Sequence, residues 1–342
     1  MSKLLENTHN IIKDLEERGI LLHIDSIDYP KELFISMGTN TVLDPLFSND
    51  NPFHKGGGVP KATNWMLYGD PGAGKTTVGL DIVASIAKHD STKEPLFISG
   101  EMSKSDMFLY CLRYPKFGKF KTLFLGELEE EEIIPSIEAI FKYGYDIVLI
   151  DSFIEVQEAI REGAYVISNK DKRNQMMSAK GSEQWLLKQM KKHNRGENDR
   201  KVWSTFIFIE QVTKGGVFVG SNKKKHLTTG TIRVSFDDPD SQEDRYIYFN
   251  KNRRGDVGIK LYFDLDSIGD VVYNIDKFNK DKEQRERNKM RRMNMKKSEL
   301  DFKKAFGIAK TDEHGNLIDK DGKILLEAEA IPEDITPEKA IQ

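Results

Sequence analysis

The run Gly69-Asp70-Pro71-Gly72-Ala73-Gly74-Lys75-Thr76 matches G-x-x-x-x-G-K-[ST] at every position. The pattern has physical meaning only where a strand leads into it and a helix leads out. Residues 65–68 form a short apolar run that reads as a strand, and residues 75–88 carry helical periodicity. Glycines let successive backbone N–H groups curl around phosphate oxygens, and the helix N-terminus adds a field that favours anions. In such a loop Lys75 reaches β- and γ-phosphates while the Thr76 hydroxyl binds Mg²⁺. Residues 69–77, closing on Thr77, are therefore the expected cradle for ATP with its magnesium ion.

Two carboxylates downstream complete the chemistry. Residues 146–150 are a dense apolar run that ends in Asp151. A buried strand delivers such an aspartate to the carboxyl edge of an α/β sheet, where open sheets bind ligands, and there it holds Mg²⁺. Glu101, in Ser99-Gly100-Glu101-Met102-Ser103, follows another predicted strand, residues 96–99. A carboxylate at that edge can polarise an attacking water. The alternative for this stretch is a helix start, with Ser99 or Ser103 as the cap and Glu101 merely solvated.

Strands and helices must alternate to bring these groups together. Strands are predicted at residues 65–68, 96–99, 122–125, 146–150 and 202–209. Helices are predicted at residues 75–88, 105–112, 130–143 and 182–192. Such alternation argues for a mostly parallel sheet flanked by helices. Residues 231–236, 245–250 and 259–264 then read as consecutive strands in an antiparallel extension. Residues 3–18 show helical spacing of Leu4, Ile11, Ile12 and Leu15 before Gly19, as a packing helix or a subunit-docking arm. Residues 38–61, rich in Gly, Asn, Asp and Pro, read as a loop region. From about Phe278 the chain turns to Lys, Arg, Glu, Asn and Met, the pattern of a charged helix and a partly disordered tail. The expected organisation is a helical arm (1–34), an α/β core (35–275) and a charged segment (276–342).

The order GDPGAGKTT, FISGEMS, IVLIDS, FIEQVTKGG and KNRRG resembles the RecA-like P-loop ATPases of the bacterial RadA (Sms) and DnaB-helicase branch, near the phage recombinases of the Sak4 type. The likeness covers roughly residues 35–275. Val212-Thr213-Lys214 and Lys251-Asn252-Arg253-Arg254-Gly255 lean toward RadA, whereas Met102 and Gln211 lean toward DnaB. The resemblance implies a water-activating Glu101 and a Gln211 that senses the γ-phosphate. It also implies that Lys251 and Arg253 reach the neighbouring subunit's nucleotide in a homo-oligomer. Without the resemblance, KNRRG reads as a basic turn between strands. A four-cysteine zinc finger, a Lon-like domain and a DnaB-type N-terminal domain are not recognisable, so the chain is expected to be close to a bare motor core. The implied role is an ATPase acting on single-stranded DNA in recombination or repair. A DnaB-like hexameric helicase and a KaiC-like regulatory ATPase without a DNA role are the alternatives.

Two segments are the expected DNA contacts. Residues 153–181 read as an irregular loop bearing Lys170, Lys172 and Arg173. Residues 214–231 read as a glycine-rich loop bearing Lys214, Lys223, Lys224 and Lys225, with Phe218 placed to stack on a base. The alternative for both is an ordinary solvated surface. The net charge of -3 over 342 residues means that nucleic-acid affinity must come from such local patches. Cys111 is the only cysteine, which excludes an internal disulfide and a cysteine-built zinc site and fits a reducing cytoplasm. No apolar run approaches the ~20 residues of a membrane span.

Overall fold

A computed structural model of the chain describes residues 2–170, 177–211, 224, 227–238, 240, 242–265, 269–305, 309–311, 316–319 and 323–326. They fall in two compact units, residues 1–278 and 279–342.

The first unit is built on a nine-stranded sheet of order β3-β2-β4-β5-β1-β6-β7-β8-β9. Its strands are β1 (Asn64–Gly69), β2 (Pro95–Ser99), β3 (Lys121–Phe124), β4 (Ile147–Asp151), β5 (Thr205–Gln211), β6 (Gly230–Asp238), β7 (Glu243–Asn252), β8 (Lys260–Leu265) and β9 (Val271–Tyr273). The helices are α1 (Ser2–Glu17), α2 (Asp44–Phe47), α3 (Lys75–His89), α4 (Lys104–Arg113), α5 (Glu130–Tyr143), α6 (Phe153–Lys170) and α7 (Ala179–Asn194). The last helix, α8 (Ile275–Ala305), starts in this unit and continues into the second, which holds a three-stranded antiparallel sheet of β10 (Ala309–Thr311), β11 (Leu317–Asp319) and β12 (Ile324–Leu326). This is the mixed α/β architecture that the alternation predicted.

Side chains on a strand alternate between faces, and here both faces of the parallel strands are covered. On β1, Trp65 and Leu67 join a core with Val78, Ile82 and Ile86 of α3. Met66 and Tyr68 face the opposite core, with Ile137 of α5, Val156 of α6 and Leu186 of α7. Burial on both sides explains why the central strands are nearly continuous apolar runs.

Four expectations need adjustment. The strand at Gly230–Asp238 is parallel to β1, so the antiparallel extension begins only at β7. The reason is topological: the chain returns from the carboxyl end of β5 to the amino end of the sheet before pairing with β1. Residues 153–170, expected to be irregular, form α6, because Phe153, Val156 and Ile160 recur at helical spacing and are fully buried. The glycine-rich region 38–61 includes α2, and Leu43, Leu46 and Phe47 are core residues. On α1 the helix forms, but Ile11 and Ile12 are exposed and no described residue of it is buried.

Candidate active site

The phosphate loop spans the end of β1 and the start of α3. Gly69 is dictated by close approach, since a Cβ there would sit 1.7 Å from the Val234 carbonyl oxygen. Gly74 caps α3 with φ of 97°, a left-handed conformation that costs a side chain dearly. Lys75 folds back into the loop and donates to the Gly69 and Asp70 carbonyls at 3.1 and 2.9 Å. Burial lowers the Lys75 pKa, opposed by the nearby Asp151, Asp70 and Glu101 carboxylates. Asp70 is itself held by the Ser235 hydroxyl of β6. The loop is thus tied to the sheet on the side away from its opening.

Thr76 Oγ1 donates to Asp151 Oδ2 at 2.5 Å, joining α3 to the end of β4. Asp151 is buried, and desolvation pushes its pKa up to about 6. A threonine hydroxyl beside a buried carboxylate is a hard-oxygen donor set. It fits Mg²⁺, which typically takes one or two protein oxygens and completes its shell with phosphate and water.

Across the opening, Gln211 Nε2 donates to Glu101 Oε1 at 3.1 Å. Both side chains are exposed to the cleft. The contact follows from strand order: β2 and β5 flank β4, so residues just beyond their carboxyl ends converge. The helix-start alternative for residues 99–103 is also satisfied, by another residue. Ser103 caps α4 in a reciprocal box with Asp106, and Ser99 closes a turn with Met102. Glu101 is left aimed at the cleft.

These groups line one cleft of about 650 Å³. Its floor is the phosphate loop with Thr76, Thr77 and Asp151, and one wall carries Glu101 and Gln211. The other wall is Leu109, Tyr110, Arg113 and Tyr114 from α4 and the turn after it, with Leu265 from β8. Sequence reasoning missed this wall. The available signal was helical spacing, since Tyr110, Arg113 and Tyr114 lie three and four apart. The wall is braced from behind by Lys116, which bonds both the Asp81 carboxylate of α3 and that of Asp270. Tyr273 donates to the same Asp81 at 2.7 Å. Burial raises the Asp81 pKa, countered by the Lys116 charge.

Lys251 and Arg253 lie elsewhere. Lys251 pairs with Thr231 of β6, which pairs with Met66 in the middle of β1. Its Nζ donates to the Thr228 carbonyl at 2.7 Å, toward the amino end of the sheet. Arg253 N donates to the Thr229 carbonyl. Burial lowers the Lys251 pKa, and the Arg253 charge lowers it further. The structure therefore does not bring these cations to the chain's own phosphate loop.

Of the expected DNA contacts, Lys224 is corrected. It is 3% exposed and its Nζ lies 2.6 Å from Glu210 of β5 and 3.9 Å from Glu183 of α7. A lysine that neutralises an interior carboxylate cannot also follow a phosphate backbone. Lys214, Phe218, Lys223, Lys225, Lys172 and Arg173 lie outside the described residues, as does the side chain of Lys170.

Comparison with known proteins agrees with the resemblance carried by the motifs. The chain is 29% identical over 215 residues to the DNA repair protein RadA of Campylobacter jejuni and 29% identical over 225 residues to that of Rickettsia bellii. Both matches cover 63% of this chain and 42% and 43% of the relatives. A shorter match, 37% identical over 97 residues, is to RadA of Rickettsia felis. The matched part is thus less than half the length of these relatives. No family model matches the chain. Among solved structures, a KaiC-like protein from Pyrococcus horikoshii is similar at 19% identity and a TM-score of 0.42, over 64% of this chain and 91% of that one. Over 63% of its length the chain is similar to these RadA proteins. Among the described residues, no helix is long and apolar enough to cross a membrane.

Proposed function

We propose that this chain is an ATPase that works on single-stranded DNA in recombination or repair. The observation that carries the ATPase half is the convergence of Lys75, Thr76, Asp151, Glu101 and Gln211 on one cleft. In this reading the loop N–H groups and Lys75 hold the β- and γ-phosphates. The aromatic and aliphatic wall around Tyr110 and Leu265 receives the base. Bound between Thr76, Asp151 and the phosphates, Mg²⁺ would neutralise phosphate charge. Glu101 takes a proton from water as its oxygen attacks the γ-phosphorus, and the bond to the ADP oxygen breaks. The 3.1 Å bond from Gln211 holds the Glu101 carboxylate at the cleft rim. It also links the nucleotide site to the end of β5.

The DNA half is supported by the RadA relatives, named for DNA repair, and by the lysine-rich sequence of residues 214–225. The deciding measurement is ATPase activity with and without single-stranded DNA across a salt series. Stimulation that fades with salt supports the reading, because phosphate contacts release counterions. A rate indifferent to DNA at every salt concentration favours a regulatory ATPase of the KaiC kind. Processive strand separation on a forked duplex favours the helicase alternative. Replacing Lys223 and Lys225 with Ala is expected to flatten the slope of log K against log salt by about 0.7 for each phosphate no longer neutralised. Unchanged affinity and slope would move the DNA site away from this segment.

A further inference from the structure

A buried ionic cluster lies directly behind the sensor glutamine. Glu210 precedes Gln211 on β5 and is 1% exposed. Lys224 Nζ meets its Oε1 at 2.6 Å and lies 4.3 Å from the centre of the Phe153 ring. Phe153 begins α6, two residues after Asp151. Glu183 of α7 adds a second carboxylate at 3.9 Å. Three elements, β5, α6 and α7, thus meet at one ammonium group. Burying an ion pair this completely is weak evidence for stability, since desolvation offsets most of the attraction. A conformational role is a better account of why the charge is there.

The bonding continues past Lys224. The Lys224 carbonyl accepts from Thr228 N at 3.1 Å, and the Thr228 carbonyl accepts from Lys251 Nζ at 2.7 Å. At the other end, Gln211 beside Glu210 bonds Glu101. Every link from Glu101 at the carboxyl end of the sheet to Lys251 toward its amino end is a described contact or a chain neighbour. Removing Lys224 would interrupt this connection without touching the phosphate loop. Burial raises the Glu210 pKa while the Lys224 charge and hydrogen bond oppose that rise. The other oxygen of Glu210, Oε2, has no hydrogen-bond partner among the described residues.

We propose that Lys224 is a positioning residue whose buried pair with Glu210 couples the sensor end of β5 to the turn that seats Lys251. The inference rests on the ATPase reading above. It assigns to Lys224 an internal role in place of the surface contact expected from the lysine run.

The test uses the double variant Glu210→Gln/Lys224→Met. It removes both charges of the 2.6 Å pair and takes the more distant cation, at 3.9 Å, only from Glu183, so melting is expected within about ten degrees of the wild type. Two readouts then separate positioning from stability. The first is steady-state kinetics: kcat is expected to fall about 10-fold or more, as misplaced catalytic groups do, with KM for ATP within about 3-fold. The second is amide hydrogen exchange with and without a non-hydrolysable ATP analogue. In the wild type the analogue is expected to slow exchange in residues 69–77 and also in residues 224–231. In the double variant only residues 69–77 should respond. A double variant with wild-type kcat and a wild-type response at residues 224–231 would overturn the inference. So would a wild-type protein that responds at residues 69–77 and not at residues 224–231. No response at residues 69–77 in the wild type would instead sink the nucleotide reading, and this inference with it. If the double variant melts far below the wild type, the pair is chiefly structural and the positioning role is rejected.

Discussion

The two ends of the central sheet hold cations in opposite circumstances. At the carboxyl end, Lys75 sits within a finished cradle, with Thr76, Asp151, Glu101 and Gln211 all from the same chain. Toward the amino end, Lys251 seats on a backbone carbonyl and Arg253 follows on the same turn. Lys251 is level with Met66, three residues back from Gly69 along β1, and two strands across. Standard strand rise and spacing make that roughly 14 Å between backbones, more than a lysine side chain can span. The residues that line the cradle at the carboxyl end therefore all come from one chain. If Lys251 and Arg253 serve phosphates at all, they serve those of another copy.

The strongest way to break this comparison is a mixing experiment. Lys75→Ala should lose ATP binding, because the phosphates lose their main side-chain counter-ion. Lys251→Ala/Arg253→Ala should lower kcat by up to about 10³–10⁵-fold, the range known for cations supplied across an interface. The two variants fail at different ends of the sheet. In a mixed assembly, some interfaces pair an intact cradle with intact cations. Part of the activity should return, and the recovery should depend on protein concentration. If both variants co-assemble and the mixture stays as inactive as its parts, the cations are structural and the composite site is rejected.

The carboxyl end can be sharpened alone. Glu101→Gln keeps the shape and the contact with Gln211 but cannot accept a proton. ATP binding should persist while hydrolysis slows by about 10²–10⁴-fold, the usual cost of losing a general base. Equilibrium binding of a fluorescent ATP analogue, measured beside single-turnover hydrolysis, separates the two. Wild-type hydrolysis would remove Glu101 from the mechanism.

The same contrast explains what could be seen in the sequence. The cradle was legible because its residues are fixed by local rules. Gly69 and Gly74 meet backbone limits, and Asp151 ends a strand buried on both faces. Glu101 stood out by its place after a strand, but Gln211 needed the resemblance, because their meeting depends on the strand order β2-β4-β5 and not on spacing along the chain. Lys224 was misread for a related reason. In Lys223-Lys224-Lys225 nothing local marks one lysine as interior, and its partners Glu210 and Glu183 lie 14 and 41 residues earlier. The wall of Tyr110, Arg113 and Tyr114 was hidden because its position is set by the distant Asp81, Asp270 and Tyr273.

That bracing gives a stability prediction of intermediate size. Lys116→Met would leave Asp81 buried beside Asp270 without its cation. Breaking such a pair one-sidedly costs about 3–5 kcal/mol when fully buried, and Lys116 is partly exposed, so roughly 3 kcal/mol is expected. Asp81→Asn/Lys116→Met should recover most of it, as read from urea midpoints. Equal loss in single and double variants would show that the charge pairing is irrelevant to the wall.

The smallest effect is a titration toward the amino end. His193, near the end of α7, is buried against Phe141, and its Nδ1 has no hydrogen-bond partner among the described residues. Burial holds its pKa below the ordinary 6.5, and the charge of Lys192 lowers it further. The sign follows from proton counting. Above the ordinary value both folded and unfolded chains carry a neutral imidazole, so His193 adds no pH dependence. As pH falls through that value the unfolded chain takes up a proton first, which favours unfolding. The loss continues until pH passes below the folded pKa and then levels off. Between about pH 7.5 and pH 5.5 the wild type should lose up to about 1 kcal/mol more stability than His193→Gln. The carboxylates titrate alike in both proteins, so the difference between their denaturation curves isolates the histidine. Parallel losses in the two proteins would mean that His193 is hydrated or protonated in the fold and that the interior around Phe141 is less dry than its burial indicates.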